Sequence, residues 1–212
     1  MFFSFDGIDG TGKTTQLIRL AAYLRDQGRT VVTCRDPGGT ELGERLREIL
    51  LHKSEIPLGR RAEMFLYMAS RSQLVDEIIR PARQRGEVVL VDRFLLANVV
   101  YQGHAGGLNV AELWQVGQVA VADQQPDLVF VLDLDVVAAL RRINRPPDRM
   151  EAQGQAFMER VRQGYLDEAA RRPEIVVLDA SRDPDTIHRQ VCELVEGYLS
   201  RNKGRDRCEY RA

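Results

Sequence analysis

The 212-residue chain, 44% hydrophobic, is long enough to bury one sizeable core and short for two. Thirty Lys and Arg against 31 Asp and Glu leave a formal charge of -1, which excludes a globally basic nucleic-acid or membrane binder and leaves any anion binding to local patches. Cys34, Cys192 and Cys208 are odd in number and lack C-x-x-C spacing, so neither a zinc site nor a disulfide framework is expected and a reducing cytoplasm fits best. Asp6 interrupts the first apolar run, so no leader is read and the chain is expected to be soluble and unprocessed; no stretch reaches the roughly 18 apolar residues of a membrane span.

In chain order, "FFSF" at 2–5 is the first of five short apolar runs. After it comes "GIDGTGKTT" at 7–15, then a helix with Leu17, Leu20, Ala21 and Leu24 on one face and Gly28 as its left-handed stop. "TVVTC" at 30–34 precedes helices over 41–51 and 61–85, the second reaching Pro81, and "VVLVD" follows at 88–92. Helices at 109–124 and 155–172 flank "LVFVLDLD" at 128–135, and "IVVLD" at 175–179 is the last run. Runs apolar on both faces read as strands covered above and below. The expectation is therefore an α/β domain over residues 1–200, a mainly parallel sheet of about five strands flanked by helices. "RRINRPPDR" at 141–149 carries Arg141, Arg142, Arg145 and Arg149 around two prolines and predicts a mobile surface segment. The tail at 201–212, with five basic and two acidic residues and no apolar period, reads as a frayed end rather than an anion-binding arm.

Gly7-x4-Gly12-Lys13-Thr14 satisfies the phosphate-loop pattern between an apolar strand and an amphipathic helix. Glycines let backbone N–H groups face phosphate oxygens, the helix N-terminus adds partial positive charge, Lys13 can reach the β- and γ-phosphates, and Thr14 can join a Mg2+ shell. A second metal ligand is expected at another strand end: Asp92, with Asp133 or Asp135 as competitors. A GTP-dependent switch would want N-K-x-D, and "NRPPD" lacks it. Arg93, "RDPGGT" at 35–40, "YMASR" at 67–71 and the arginine-rich segment offer a second anion site, as a kinase of a small acceptor requires.

These segments together resemble the thymidylate kinase family over about residues 2 to 199. "FDGIDGTGKTTQ", "RDPGGT", "YMASRSQ", "DRFLLANVVYQG", "PDRME", "VRQGYL" and "VVLDAS" occur in the family's order. The resemblance implies a P-loop nucleoside monophosphate kinase fold, transfer of the ATP γ-phosphate to dTMP with Mg2+, a cytoplasmic homodimer, and no nucleic-acid or membrane partner. It implies ATP contacts at Gly7, Ile8, Asp9, Gly10, Thr11, Gly12, Lys13, Thr14 and Thr15, and metal ligation by Thr14 and Asp92. It places dTMP against Asp9, Pro37, Tyr67, Arg71, Arg93, Asn98, Tyr101 and Gln102. Catalysis would fall to Lys13 and Arg93 with a cation from a lid at about 141–153, Arg149 before Arg145. The chain departs from the family's frequent residues at Asp6, Leu74, Phe94 and Ala97. It resembles the branch whose lid, rather than its phosphate loop, supplies the arginine. His52, His104 and His188 read as surface or loop residues, and Trp114 as a core or subunit packing residue.

Overall fold

The computed structural model describes residues 1–52, 57–146 and 148–202. Ten residues of the basic tail, 203–212, and with them Cys208, lie outside the described residues. Strands β1 (Phe2–Asp6), β2 (Val31–Arg35), β3 (Val88–Asp92), β4 (Leu128–Asp133) and β5 (Ile175–Asp179) form one sheet in the order β2-β3-β1-β4-β5. Every pairing is parallel, and the register sets Phe5 beside Asp92 on one flank and beside Phe130 on the other. β1 is buried along its whole length, as a central strand covered on both faces must be.

Helix α1 (Lys13–Asp26) buries Leu17, Leu20, Ala21 and Leu24 in the stripe its spacing predicts. It ends in a Schellman turn: Gly28, at φ +77°, donates to the Arg25 carbonyl, and Arg29 donates back to Leu24. Leu20 is fully buried, so Leu20→Ala would cost about 2–5 kcal/mol. Helix α2 (Glu41–Leu51) starts at Thr40, whose hydroxyl accepts from the Gly43 N–H at 2.9 Å. Helix α3 (Arg60–Leu74) runs through a π turn at Val75–Ile79 into α4 (Arg80–Gln84). Pro81 sits just past that turn, where the widened hydrogen-bond register absorbs its missing N–H, so the helix continues to Gln84.

Among the described residues three α-helices go beyond the sequence reading. They are α5 (Leu95–Asn98), which passes into a second π turn at Val99–His104; α7 (Val136–Arg141), capped by Asp135; and α9 (Pro184–Asn202). The others, α6 (Val110–Val121) behind its Asn109 cap and α8 (Gln155–Ala169), fall inside the expected spans. One core cluster joins Phe3 and Phe5 to α1 and α9; a second packs Phe2, Val89 and Val91 with Met68, Leu74 and Leu113. With β1 central and its neighbours reached by crossovers on either side, the crevice beyond the strands' C-terminal ends is where such sheets hold ligands.

Candidate active site

The chain leaves β1 at Asp6 and turns at Gly7, whose φ of +127° and closeness to the Leu132 carbonyl leave no room for a Cβ. Gly10 is closed in the same way by the Ala139 carbonyl. Thr11 donates to the Ile8 carbonyl at 2.9 Å, and both residues are buried as the frame of the loop. Gly12 opens α1 at φ +92° without a side-chain cap, so first-turn N–H groups stay available to an anion. Lys13 is buried and donates through Nζ to the Ile8 carbonyl at 2.9 Å and to Asp9 Oδ1 at 3.2 Å; burial pulls its pKa below the ordinary lysine value.

Above the loop lies a cleft of about 1000 Å³. Asp9, Gly10, Gly12, Lys13, Thr14 and Thr15 form one wall; Pro37, Tyr67, Arg71, Asn98, Tyr101 and Gln102 form the opposite end, with Asp92 and Arg93 between. Gly7, Ile8 and Thr11 are its frame and Arg149 stands off its wall. The Thr14 hydroxyl donates to Asp92 Oδ2 at 2.5 Å, two hard oxygens converging on the cleft as a divalent ion would require. The competing carboxylates are occupied elsewhere: Asp133 takes both forks of Arg162 at 2.7 and 2.8 Å, and Asp135 caps α7.

Asp9 is the electrostatic centre. Its Oδ1 meets Lys13 at 3.2 Å and Arg93 at 2.7 Å, and its Oδ2 meets Arg145 at 3.7 Å. Burial opposes its charge, but Arg93 and Lys13 outweigh that and hold its carboxyl well below the usual carboxylate range. Arg93 adopts φ +65°, costly for a residue with a Cβ, and is held there by bonds from one nitrogen to the Gly7 carbonyl at 2.7 Å and the Tyr165 hydroxyl at 3.1 Å. Beneath it, burial pushes Asp6 up to about 6 despite the nearby Arg93. Ser4 donates to this carboxyl at 3.2 Å and Tyr165 at 3.5 Å.

At the far end Arg71 is 1% exposed and is not left free for a ligand alone. It donates to Asp36 at 2.6 Å, to Asn98 Oδ1 at 3.2 Å and to the Phe94 carbonyl at 3.4 Å. Tyr67 and Tyr101 show their rings to the cleft from buried positions, and Arg93 lies over the Tyr101 ring at 5.2 Å. Arg47, which lines the same end, donates to the Pro37 carbonyl at 2.8 Å.

The arginine-rich segment expected to be mobile is tied down in its described residues. Arg142 donates to the Ala180 carbonyl at 3.2 Å, and Arg145 forks onto Glu151 at 2.7 and 2.9 Å. Arg149 points away from the phosphate loop, pairing with Glu63 at 2.6 Å and donating to the Leu50 carbonyl at 2.6 Å. Of the two, Arg145 is the one that comes near Asp9, and Arg149 is held by the buried carboxylate of Glu63. Asp9, Asp148 and Glu151 bring carboxylate atoms within 4.8 Å of one another, with the Arg145 guanidinium among them as counter-charge.

The family model described as thymidylate kinase matches residues 5–191. The chain belongs to the thymidylate kinase family. A thymidylate kinase from Thermosipho africanus is 40% identical over 200 residues, covering 94% of this chain and 99% of the relative. One from Pelotomaculum thermopropionicum is 45% identical over 202 residues, covering 93% and 94%. The crystal structure of thymidylate kinase from Ehrlichia chaffeensis superposes with a TM-score of 0.75 at 31% identity, covering 92% of this chain and 98% of that one.

In this thymidylate kinase family member several residues stand at the site that motif reading passed over: Asp36, Glu63 and Tyr165, each buried and each bonded to a residue on the cleft wall. Asp36 lay inside the quoted "RDPGGT" and could have been singled out as a carboxylate with no local basic neighbour but Arg35; Tyr165 lay inside the quoted "VRQGYL", and Glu63 had no signal beyond helix position. His52 is exposed just past α2 as expected, but the other two histidines need correction. His104 closes the second π turn half-buried, 2.9 Å from Glu168, and His188 lies half-buried in α9 edge-on to Tyr23. Trp114 shares Glu168, at 3.1 Å, with Arg172 stacked 3.7 Å over its ring, an intramolecular packing role. Among the described residues no helix is long and apolar enough to cross a membrane.

Proposed function

We propose that the cleft holds ATP with its phosphates over residues 7–15 and dTMP between Tyr67, Arg71, Asn98 and Tyr101, and transfers the γ-phosphoryl group to give ADP and dTDP. The observation that carries this two-ended reading is Asp9. One carboxylate joins Lys13 of the donor loop, Arg93 of the acceptor side and Arg145 of the lid, so the three cations already converge on one point between the two ends. An acceptor phosphate oxygen is anionic at neutral pH, so no general base is needed and catalysis is alignment plus charge neutralisation.

Lys13 serves the donor phosphates, Arg93 clamps the acceptor phosphate, and Arg145 neutralises charge on the group in transit, ahead of Arg149. Tyr67 offers a ring face to the thymine, Arg71 and Asn98 its hydrogen-bonding edge, and Asp9 an acceptor for a sugar hydroxyl. Pro37 shapes the turn beside the base, while Tyr101, supported by Gln102, crowds the sugar and disfavours a ribonucleotide. A divalent ion, proposed as Mg2+, fits Thr14 and Asp92 and would supply charge neutralisation between the β- and γ-phosphates. Lid residues over the cleft keep water from acting as acceptor.

The chain is also read as a cytoplasmic homodimer. Support for the dimer comes from neighbouring helices that leave apolar side chains in solvent: Leu42 and Ile49 on α2, Phe65 on α3 and Val119, 83% exposed, on α6. Comparing dTMP, dUMP, dCMP, dGMP and thymidine as acceptors with MgATP tests the reading. dTMP should be the fastest by kcat/KM; a preference for thymidine or for dCMP would overturn the assignment of the acceptor end.

A further inference from the structure

One buried polar chain runs through the acceptor end, and the two carboxylates that close it, Asp36 and Glu63, enter no step above. Asp36 accepts from Arg71 at 2.6 Å, Arg71 donates to Asn98 Oδ1 at 3.2 Å, and Asn98 Nδ2 donates to Gln102 Oε1 at 2.5 Å. Gln102 Nε2 then donates to Glu63 Oε1 at 2.6 Å, and the other oxygen of Glu63 faces Arg149 at 2.6 Å. From Asp36 to Glu63 every member is at most 6% exposed.

The ends of the chain fix its middle. Arg71 can only donate and ionised Glu63 can only accept, so the two amides between them are forced into one orientation. That orientation decides which edge of Asn98 the cleft sees. On its other side Glu63 holds Arg149, next in sequence to Asp148, whose carboxylate caps the Glu151 N–H at 2.9 Å; Glu151 in turn clamps Arg145. A single carboxylate on α3 therefore reaches the base-reading amide in one direction and the lid cation in the other.

We infer that Glu63 is a positioning residue that couples correct filling of the acceptor pocket to placement of Arg145 over the transferring phosphate. The inference rests on the reading of Arg71 and Asn98 as the edge that meets the acceptor base. Glu63→Gln preserves volume but cannot serve both neighbours: if its oxygen faces Gln102, an amide nitrogen faces Arg149; if it flips, two donors face each other at Gln102. Losing a buried charged hydrogen bond of this kind is expected to lower kcat by roughly ten- to a hundredfold. KM for ATP should stay within about twofold, since the donor wall is untouched.

The deciding measurements are on the intact enzyme with MgATP: kcat and KM for each substrate, the dTMP-to-dUMP ratio of kcat/KM, and ADP released without acceptor. E63Q should narrow the dTMP-to-dUMP ratio and raise acceptor-independent ADP release. Arg149→Met should lower kcat by a similar factor, and the double variant should be no worse than either single one. Multiplying effects, or an unchanged ratio and kcat in E63Q, would overturn the inference. If E63Q does not fold, Gln102→Met breaks the adjacent link and must narrow the same ratio. Arg71→Gln separates the two levels. An unchanged KM for dTMP would sink the pocket reading itself, whereas a raised KM together with multiplying E63Q and R149M effects would sink only the coupling.

Discussion

Arg145 and Arg149 sit four residues apart in one segment yet pair with different carboxylates, Asp9 and Glu63, and alanine substitutions should separate the roles proposed for them. Arg145 stands 3.7 Å from Asp9, an anion in the same pocket that gauges the field a transferring phosphate would feel. At that distance a unit charge pair is worth about 4 kcal/mol with an effective dielectric constant near 20, and about half of that given that the guanidinium is 49% exposed. Arg145→Ala should thus lower kcat by roughly 30-fold, and because the buried Glu151 loses its forked partner but keeps the Asp148 N–H, some loss of stability goes with it. Arg149→Ala removes the partner of the buried Glu63. It should cost about 3–5 kcal/mol of stability, a drop in Tm of roughly 6–20 °C for a chain of this length. Its kcat should fall only by roughly tenfold, the loss expected when an anchor rather than the neutralising cation is removed. ADP release coupled to pyruvate kinase and lactate dehydrogenase, run well below either Tm, measures the first effect, and thermal melts the second. If Arg149→Ala proves the slower enzyme with an unchanged Tm, the assignment of the two arginines is wrong.

Asp6 offers a pH test. Its folded-state value of about 6 exceeds the unfolded 3.8, so the folded chain binds the extra proton between those values and stability falls as pH rises through that window. The residue's share is up to about 3 kcal/mol. Asp9 acts oppositely: held low, it adds stability above its unfolded value that is lost as pH drops below about 4, outside the Asp6 window. Urea melts from pH 4 to 7 should show the decline in the parent chain and a flatter profile in Asp6→Asn; identical profiles would remove Asp6 as its source. Chelation of divalent ions should stop turnover and added Mg2+ should restore it. Asp92→Asn should raise the Mg2+ concentration for half-maximal rate by roughly tenfold or more, and a normal Mg2+ dependence would take Asp92 out of the metal site.

What could be read in advance was local. Gly7, Gly12, Lys13 and Thr14 announce a phosphate loop because the chemistry needs them within eight residues, and the strand runs are legible because burial on both faces leaves them nearly free of polar residues. Helix α9 was also legible in principle, with Ile187, Val191 and Val195 at four-residue spacing behind Asp183, whose carboxylate takes the Asp185 and Thr186 N–H groups. The α5 stretch was not, since "LLANVVYQGH" is buried on nearly every side, polar Asn98 and Gln102 included, and its π turn obeys neither common period. Glu63 illustrates the limit: its partners Gln102 and Arg149 lie 39 and 86 positions away, and no spacing along the chain connects a charged helix residue to them. The pairing of Arg149 was hidden for the same reason, because only the fold brings it to Glu63.

The π turn at Val99–His104 places Tyr101 and Gln102 on the cleft wall, and it does so with a residue more than an α-helical turn would hold. Deleting one residue of that stretch would let the turn close to α geometry and would shift Tyr101 and Gln102 from their places on the cleft wall. The length of this segment is then as strict a requirement as the identity of its side chains, and an alignment gap there would say more about lost activity than most substitutions in the cleft.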